Sequence, residues 1–161
     1  MTAARRRRKL PLMTTVLLAG WLGVTRLVAG SAEPVFVDRH SGLALGGFDP
    51  LSYFVERRPL SGRGQFEYGF AGATWRFRNE GNRAAFARNP HLYMPRFGGY
   101  DPVGIARGVA VAGNPAVWII ADGHLYLFHD RAALDAFFDN AEPITATAER
   151  RWPQVLRMAM P

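Results

Sequence analysis

The sequence predicts an α+β fold: a small single domain of short antiparallel β-hairpins packed with several short helices, preceded by an N-terminal hydrophobic signal or anchor helix. Three observations carry this. The 161 residues, 48% of them hydrophobic, suffice for one domain with a real core. Aromatic and β-branched runs come in pairs, 65–70 with 73–78 and 116–121 with 124–128, each pair parted by a two-residue turn, Ala71-Gly72 or Asp122-Gly123. An Asp or Asn directly before proline recurs at Asp49-Pro50, Asn89-Pro90, Asp101-Pro102 and Asn114-Pro115, with a weaker form at Glu142-Pro143. Such a pair starts a short helix, because the side chain accepts orphan backbone N–H groups and proline's fixed φ suits the first turn.

In chain order, residues 1–32 read as a targeting segment. A basic run at 5–9 precedes an apolar run from Leu12 to Val24, and small residues follow Arg26. A small-x-small site near Gly30 or Ala32 makes it a cleaved signal. An uncleaved segment over 10–29 makes it an inner-membrane tether, although the apolar run falls short of the roughly 20 residues a spanning helix needs. Either reading implies export to the periplasm. The charge agrees: six of the 20 basic residues precede Glu33, so residues 33–161 carry 14 against 13 acids, and the net +7 belongs to the targeting segment. Nucleic acid is thereby excluded as a partner, and the membrane is expected to be met only through residues 1–32.

Residues 33–161 form the domain, with a central unit at 65–100. Val35, Phe36 and Val37 read as an edge strand, and 57–64 as a polar loop. In the run 73–78, Trp75 and Phe77 share one strand face and Arg76 and Arg78 the other. Asn79 opens a helix carrying Ala84, Ala85 and Phe86, which Asn89-Pro90 stops. Residues 101–108 give a helical turn, and Asn114-Pro115 leads into a strand. Asp130 caps a helix to about Asp139 with Leu134, Phe137 and Phe138 on its apolar side. The last helix spans about 144–151, with a frayed tail from Pro153. The sequence reads as free of internal repeats and interdomain linkers.

Several of these pieces carry a resemblance. Gly72-Ala73-Thr74-Trp75-Arg76-Phe77, then Asn82-Arg83, Phe86, Asn89-Pro90, Tyr93 and Pro95, then Gly98-Gly99-Tyr100, is similar to the YHS-domain family. Gly47-Phe48-Asp49-Pro50-Leu51-Ser52-Tyr53-Phe54 and Asp122-Gly123-His124-Leu125-Tyr126-Leu127 resemble flanking motifs of its exported bacterial members. The resemblance spans about 47–152 and implies a small α+β domain of a family often associated with metal binding, without an established activity. Its motif residues here are Trp75, Phe77, Phe86, Pro90, Tyr93, Gly98, Gly99 and Tyr100. The thiol positions of the family's metal-type members fall on Arg78 and Asn82, and that of its exported members on Asp101.

The chain contains no cysteine, so a thiolate zinc or copper site and redox thiol chemistry are excluded. No cofactor is expected. His91 and Met94, three apart, are the one pair suited to a His/Met site, with Met158 or Met160 as a further candidate; a surface histidine beside a core methionine is the favoured reading. The serines at 41, 52 and 61 lack a nucleophile-elbow pattern, and capping accounts for Asp49 and Asp101, so no enzyme is read. Asp101→Asn is accordingly expected to be nearly silent. The remaining candidate is a pocket rimmed by Asp49, Tyr53, Tyr93, Tyr100 and Asp101, since tyrosine hydroxyls need polar partners. The resulting expectation is an exported, non-enzymatic YHS-like module for a small ligand or protein partner. The alternative is a periplasmic metal-handling protein with His, Met and carboxylate ligands.

Overall fold

The computed structural model describes residues 34–38 and 40–159. The expected N-terminal signal or anchor helix lies outside them, and no helix among the described residues is long and apolar enough to cross a membrane. The described domain mixes six helices with two antiparallel two-stranded sheets, which agrees with the α+β expectation. The helices are α1 (Pro50–Val55), α2 (Glu80–Arg88), α3 (Pro90–Tyr93), α4 (Pro102–Ala106), α5 (Arg131–Asp139) and α6 (Ala141–Ala159). The hairpins are β1 (Arg63–Phe70) with β2 (Ala73–Phe77), and β3 (Asn114–Ala121) with β4 (His124–Phe128).

These elements are one unit built twice, which corrects the expectation that the chain lacks an internal repeat. A tight turn at Leu45–Gly47 leads through Asp49-Pro50 into α1, and a like turn at Arg96–Gly99 leads through Asp101-Pro102 into α4. The turns match residue for residue: φ is 53, 59 and 85° at Leu45, Gly46 and Gly47, and 54, 60 and 89° at Phe97, Gly98 and Gly99. α1 and α4 are each followed by a hairpin with the same register and the same bulge, Arg63 opposite Phe77 in one and Asn114 opposite Phe128 in the other. Backbone bonds recur as well. Asp49 N donates to Leu60 O and Asp101 N to Val111 O, both at 2.9 Å. Gly62 N donates to Gly47 O and Gly113 N to Gly99 O, again at 2.9 Å. Gly62 and Gly113 are needed because the chain there crosses its neighbouring strand. A Cβ on either would lie 2.5 Å from Arg76 or Leu127.

The two units differ in what their hairpins face. β1–β2 has one buried face, where Trp75 and Phe77 stack on Phe86 with ring centroids 4.8 and 5.2 Å apart. Its other face carries the Arg76–Glu67 ion pair at 2.8 Å. At the equivalent register of β3–β4 the pair is Leu127 and Trp118. Consequently Tyr126 and Phe128 enter a second core with Phe97, Phe137 and Trp152, while Leu125 and Leu127 enter the first core with Trp75, Phe77 and Tyr53. β4 is thus shared between both cores, buried on its two faces.

Several local expectations hold, and several need correction. Asn79 and Asp130 accept from Asn82 N and Ala133 N and start α2 and α5. Residues 35–37 form no strand; they are held by Phe36 N donating to Gly98 O at 2.8 Å and by one bridge between Val37 and Ala44. Phe138 is 61% exposed, because Leu134 and Phe137 take the inward face of α5. The last helix does not stop near 151. It continues through Pro153 to Ala159, because Trp152 and Val155 on either side of the proline are buried in the second core. Tertiary packing there outweighs the proline penalty.

Candidate functional site

Among the described residues the two Asp-Pro carboxylates are the buried acids, Asp49 with no exposure and Asp101 at 3%. Each spends one oxygen on its own helix and the other on the end of its own hairpin. Asp49 Oδ1 accepts from Leu51 N at 2.9 Å, and Oδ2 from Arg78 N at 2.8 Å and Asn82 Nδ2 at 2.7 Å. Asp101 Oδ1 accepts from Val103 N at 2.8 Å, and Oδ2 from His129 N at 3.1 Å. Both carboxylates are therefore ties between a helix start and the residue that follows a strand. Arg78 and Asn82, the places where the family resemblance would put thiols, do converge in space. They converge on Asp49 through hydrogen bonds.

The pocket expected from Asp49, Tyr53, Tyr93, Tyr100 and Asp101 is not assembled. Asp101 lines a concavity with Val103, Arg107 and His129 that includes none of the other four residues. The Tyr53 hydroxyl donates to Pro115 O at 3.0 Å, its ring stands edge-on to Trp118, and burial pushes its ionisation well above the ordinary tyrosine value. Tyr93 packs edge-on against Phe54, and Tyr100 packs against Phe36 and Trp152. The motif residues Trp75, Phe77 and Phe86 are core, Pro90 starts α3, and Gly98 and Gly99 shape the second turn. Met94 is buried in the first core, whereas His91 is exposed and edge-on to Phe70. Among the described residues, no three His, Asp or Glu side chains gather where they could hold a metal ion.

The duplication instead creates a cavity of about 180 Å³ where the two glycine turns face each other. Leu45 and Gly46 of the first turn form one side, and Gly98 and Gly99 of the second form the other. Pro95, Gly113, Pro115 and Leu127 close it, and Val35, Phe36 and Asp38 of the lead-in chain lie along its edge. Glycines at these points leave bare backbone on the wall. A Cβ on Gly98 would overlap the Pro34 carbonyl, so the lead-in chain can seat there only against glycine. The polar group at the edge is Asp38, whose Oδ1 accepts from Ser41 N and Ser41 Oγ, both at 2.9 Å, and from His40 N at 3.1 Å. Those bonds, Ser41 N–H first, hold its carboxyl below the usual value, so it is ionised at neutral pH. An apolar cavity with one anionic edge can bind and orient a ligand; it presents no nucleophile with a base aimed at its proton. Sequence reasoning missed this cavity, although its signal was present in the paired Gly-Gly-Phe-Asp-Pro and Gly-Gly-Tyr-Asp-Pro segments. Set against protein-family models, curated proteins and solved structures, the chain matches none of them.

Proposed function

We propose that the chain is an exported, non-catalytic binding module of the YHS type, with its ligand seat between the two glycine turns. The observation that carries this is the cavity itself. It is walled in part by backbone where a side chain would clash, at Gly98 and Gly113, bordered by an ionised carboxylate, and placed where the two units meet. Its volume of about 180 Å³ lies below the roughly 300–1,000 Å³ of drug-sized sites. The ligand is therefore a small, mainly apolar molecule with one hydrogen-bond donor or cationic group directed to Asp38. The absence of catalysis is supported by the commitment of both Asp-Pro carboxylates to backbone N–H groups. Export rests on the basic and apolar runs at 5–9 and 12–24; N-terminal sequencing beginning near Ser31 or Glu33 would mark a cleaved signal, and intact Met1 in the membrane fraction a retained anchor.

The binding test is a thermal-shift screen of small amines, alcohols and carboxylic acids. Amines or alcohols should raise Tm, acids should not, and Val35→Trp, which fills the cavity, should abolish the rise with the unliganded Tm retained. A rise that survives Val35→Trp would move the ligand elsewhere. The metal-handling alternative gains no geometric support, since Met94 is inside the core and His91 outside it.

A further inference from the structure

A second concavity, of about 450 Å³, shares Phe36 with the first and opens between the segment after α4 and the last turns of α6. Phe36, Tyr100, Val109, Val155 and Met158 line it. Three of these are large apolar side chains left in solvent, Phe36 at 36%, Val109 at 51% and Met158 at 63% exposure. Apolar groups gathered in this way on a small domain mark a contact surface more often than scatter does.

The charge on the segment after α4 and on the last turns of α6 has one sign. Arg107, Arg151 and Arg157 are exposed on the two segments that form it. Arg151 Nη1 donates to Ala106 O at 2.9 Å, which holds the guanidinium beside Gly108 of the groove wall. Arg157 directly precedes Met158. Neither 102–112 nor 150–159 contains an acid; the acid nearest Phe36 in the chain is Asp38, the ionised carboxylate at the edge of the other cavity. Phe36 also lies only ten residues beyond Arg26, which ends the apolar stretch of the N-terminal segment. In the tether reading of residues 1–32, those ten residues can hold Phe36 no more than about 35 Å from the end of that stretch.

We propose that this face rests on an anionic phospholipid bilayer, a membrane contact additional to the N-terminal segment. Phe36, Val109 and Met158 enter the boundary between headgroups and acyl chains, and Arg107, Arg151 and Arg157 meet lipid phosphates. This is the arrangement of an interfacial amphipathic surface, in which shallow apolar burial and cationic attraction act together.

The chain has no native cysteine, so Met158→Cys and Val55→Cys give single sites for an environment-sensitive fluorophore. Val55 is 70% exposed on α1, outside the groove. The full chain would be reconstituted into vesicles of phosphatidylcholine with or without phosphatidylglycerol. The expected result is a blue shift at position 158 only with phosphatidylglycerol, no shift at position 55, and loss of the shift in Arg107→Glu/Arg157→Glu. Circular dichroism of that variant should match the parent, since both arginines are exposed. No shift at 158, or an equal shift in both lipids, would overturn the proposal. So would a shift without lipid that grows with protein concentration, which would make a second copy the occupant.

Discussion

At the scale of single residues, the two Asp-Pro carboxylates set the sharpest test. Both oxygens of Asp49 and of Asp101 accept N–H donors while buried. An amide in either place must turn its own NH2 toward one of those donors. Asp101→Asn is therefore expected to cost about 1–3 kcal/mol, in place of the silence expected from helix capping alone. Asp49→Asn should cost at least as much, since Asn82 Nδ2 also loses its acceptor. Urea denaturation of the two variants measures this directly; two near-neutral results would mean the N–H groups find water. Tyr53 gives a pH test. The unfolded phenol ionises near 10.0 and the buried one higher, so the folded state keeps its proton longer. The stability linked to Tyr53 is complete below pH 10 and is lost as pH rises above it. Tyr53→Phe should cost about 1 kcal/mol at neutral pH by leaving Pro115 O without its donor, and should flatten the alkaline decline of Tm.

At the scale of elements, local chemistry was largely legible. Asn79, Asp130, Asp49 and Asp101 announce their helices because each cap depends on a residue and its next three neighbours. The hairpins announce themselves through their turns. Ala71-Gly72 and Asp122-Gly123 both take left-handed backbone, with φ of 53 and 74° in the first and 49 and 75° in the second. Alanine is the poorer occupant of such a position, which Asn, Asp and Gly favour. Ala71→Asn should thus stabilise the domain by about 0.5–1 kcal/mol, read as a raised denaturation midpoint with an unchanged slope. What local reading gets wrong is what distant packing decides. Pro153 signals an end to α6, yet Trp152 and Val155 carry the helix past it. Phe138 reads as inward, yet Leu134 and Phe137 already fill that face.

At the scale of the whole molecule, the duplication was hidden for physical reasons. Identity between the units persists mainly where backbone geometry or a shared core demands it, as at Gly46 and Gly98, Asp49 and Asp101, Gly62 and Gly113, and Phe86 and Phe137. Positions freed by different surroundings have diverged, Arg76 to Leu127 and Glu67 to Trp118 among them. The first helix, Pro50–Val55, is also one residue longer than Pro102–Ala106, so a scan at fixed period slips between the turns and the hairpins. The near-continuous apolar runs of β3 and β4 were the available signal that this hairpin is covered on both faces. The second core draws its buried residues only from 97–155, whereas the first needs Leu125 and Leu127. A fragment of residues 34–94 should then show no cooperative melting, while residues 95–159 should retain helix and a measurable transition by circular dichroism. Cooperative melting of the first fragment would refute the shared role of β4.

That sharing has a consequence in time. A ribosome releases the chain from its N-terminus, so every residue of the first unit is available before β4 has been made. Trp75, Phe77 and Phe86 can gather early, but the side of their cluster that Leu125 and Leu127 close stays open to water until the second hairpin emerges. The first unit must wait for the second, and the nascent chain carries an unsealed aromatic surface over that interval. Holding factors that shield hydrophobic nascent segments would act on this stretch of synthesis, and slowing translation between Met94 and Leu125 should lengthen the chain's dependence on them.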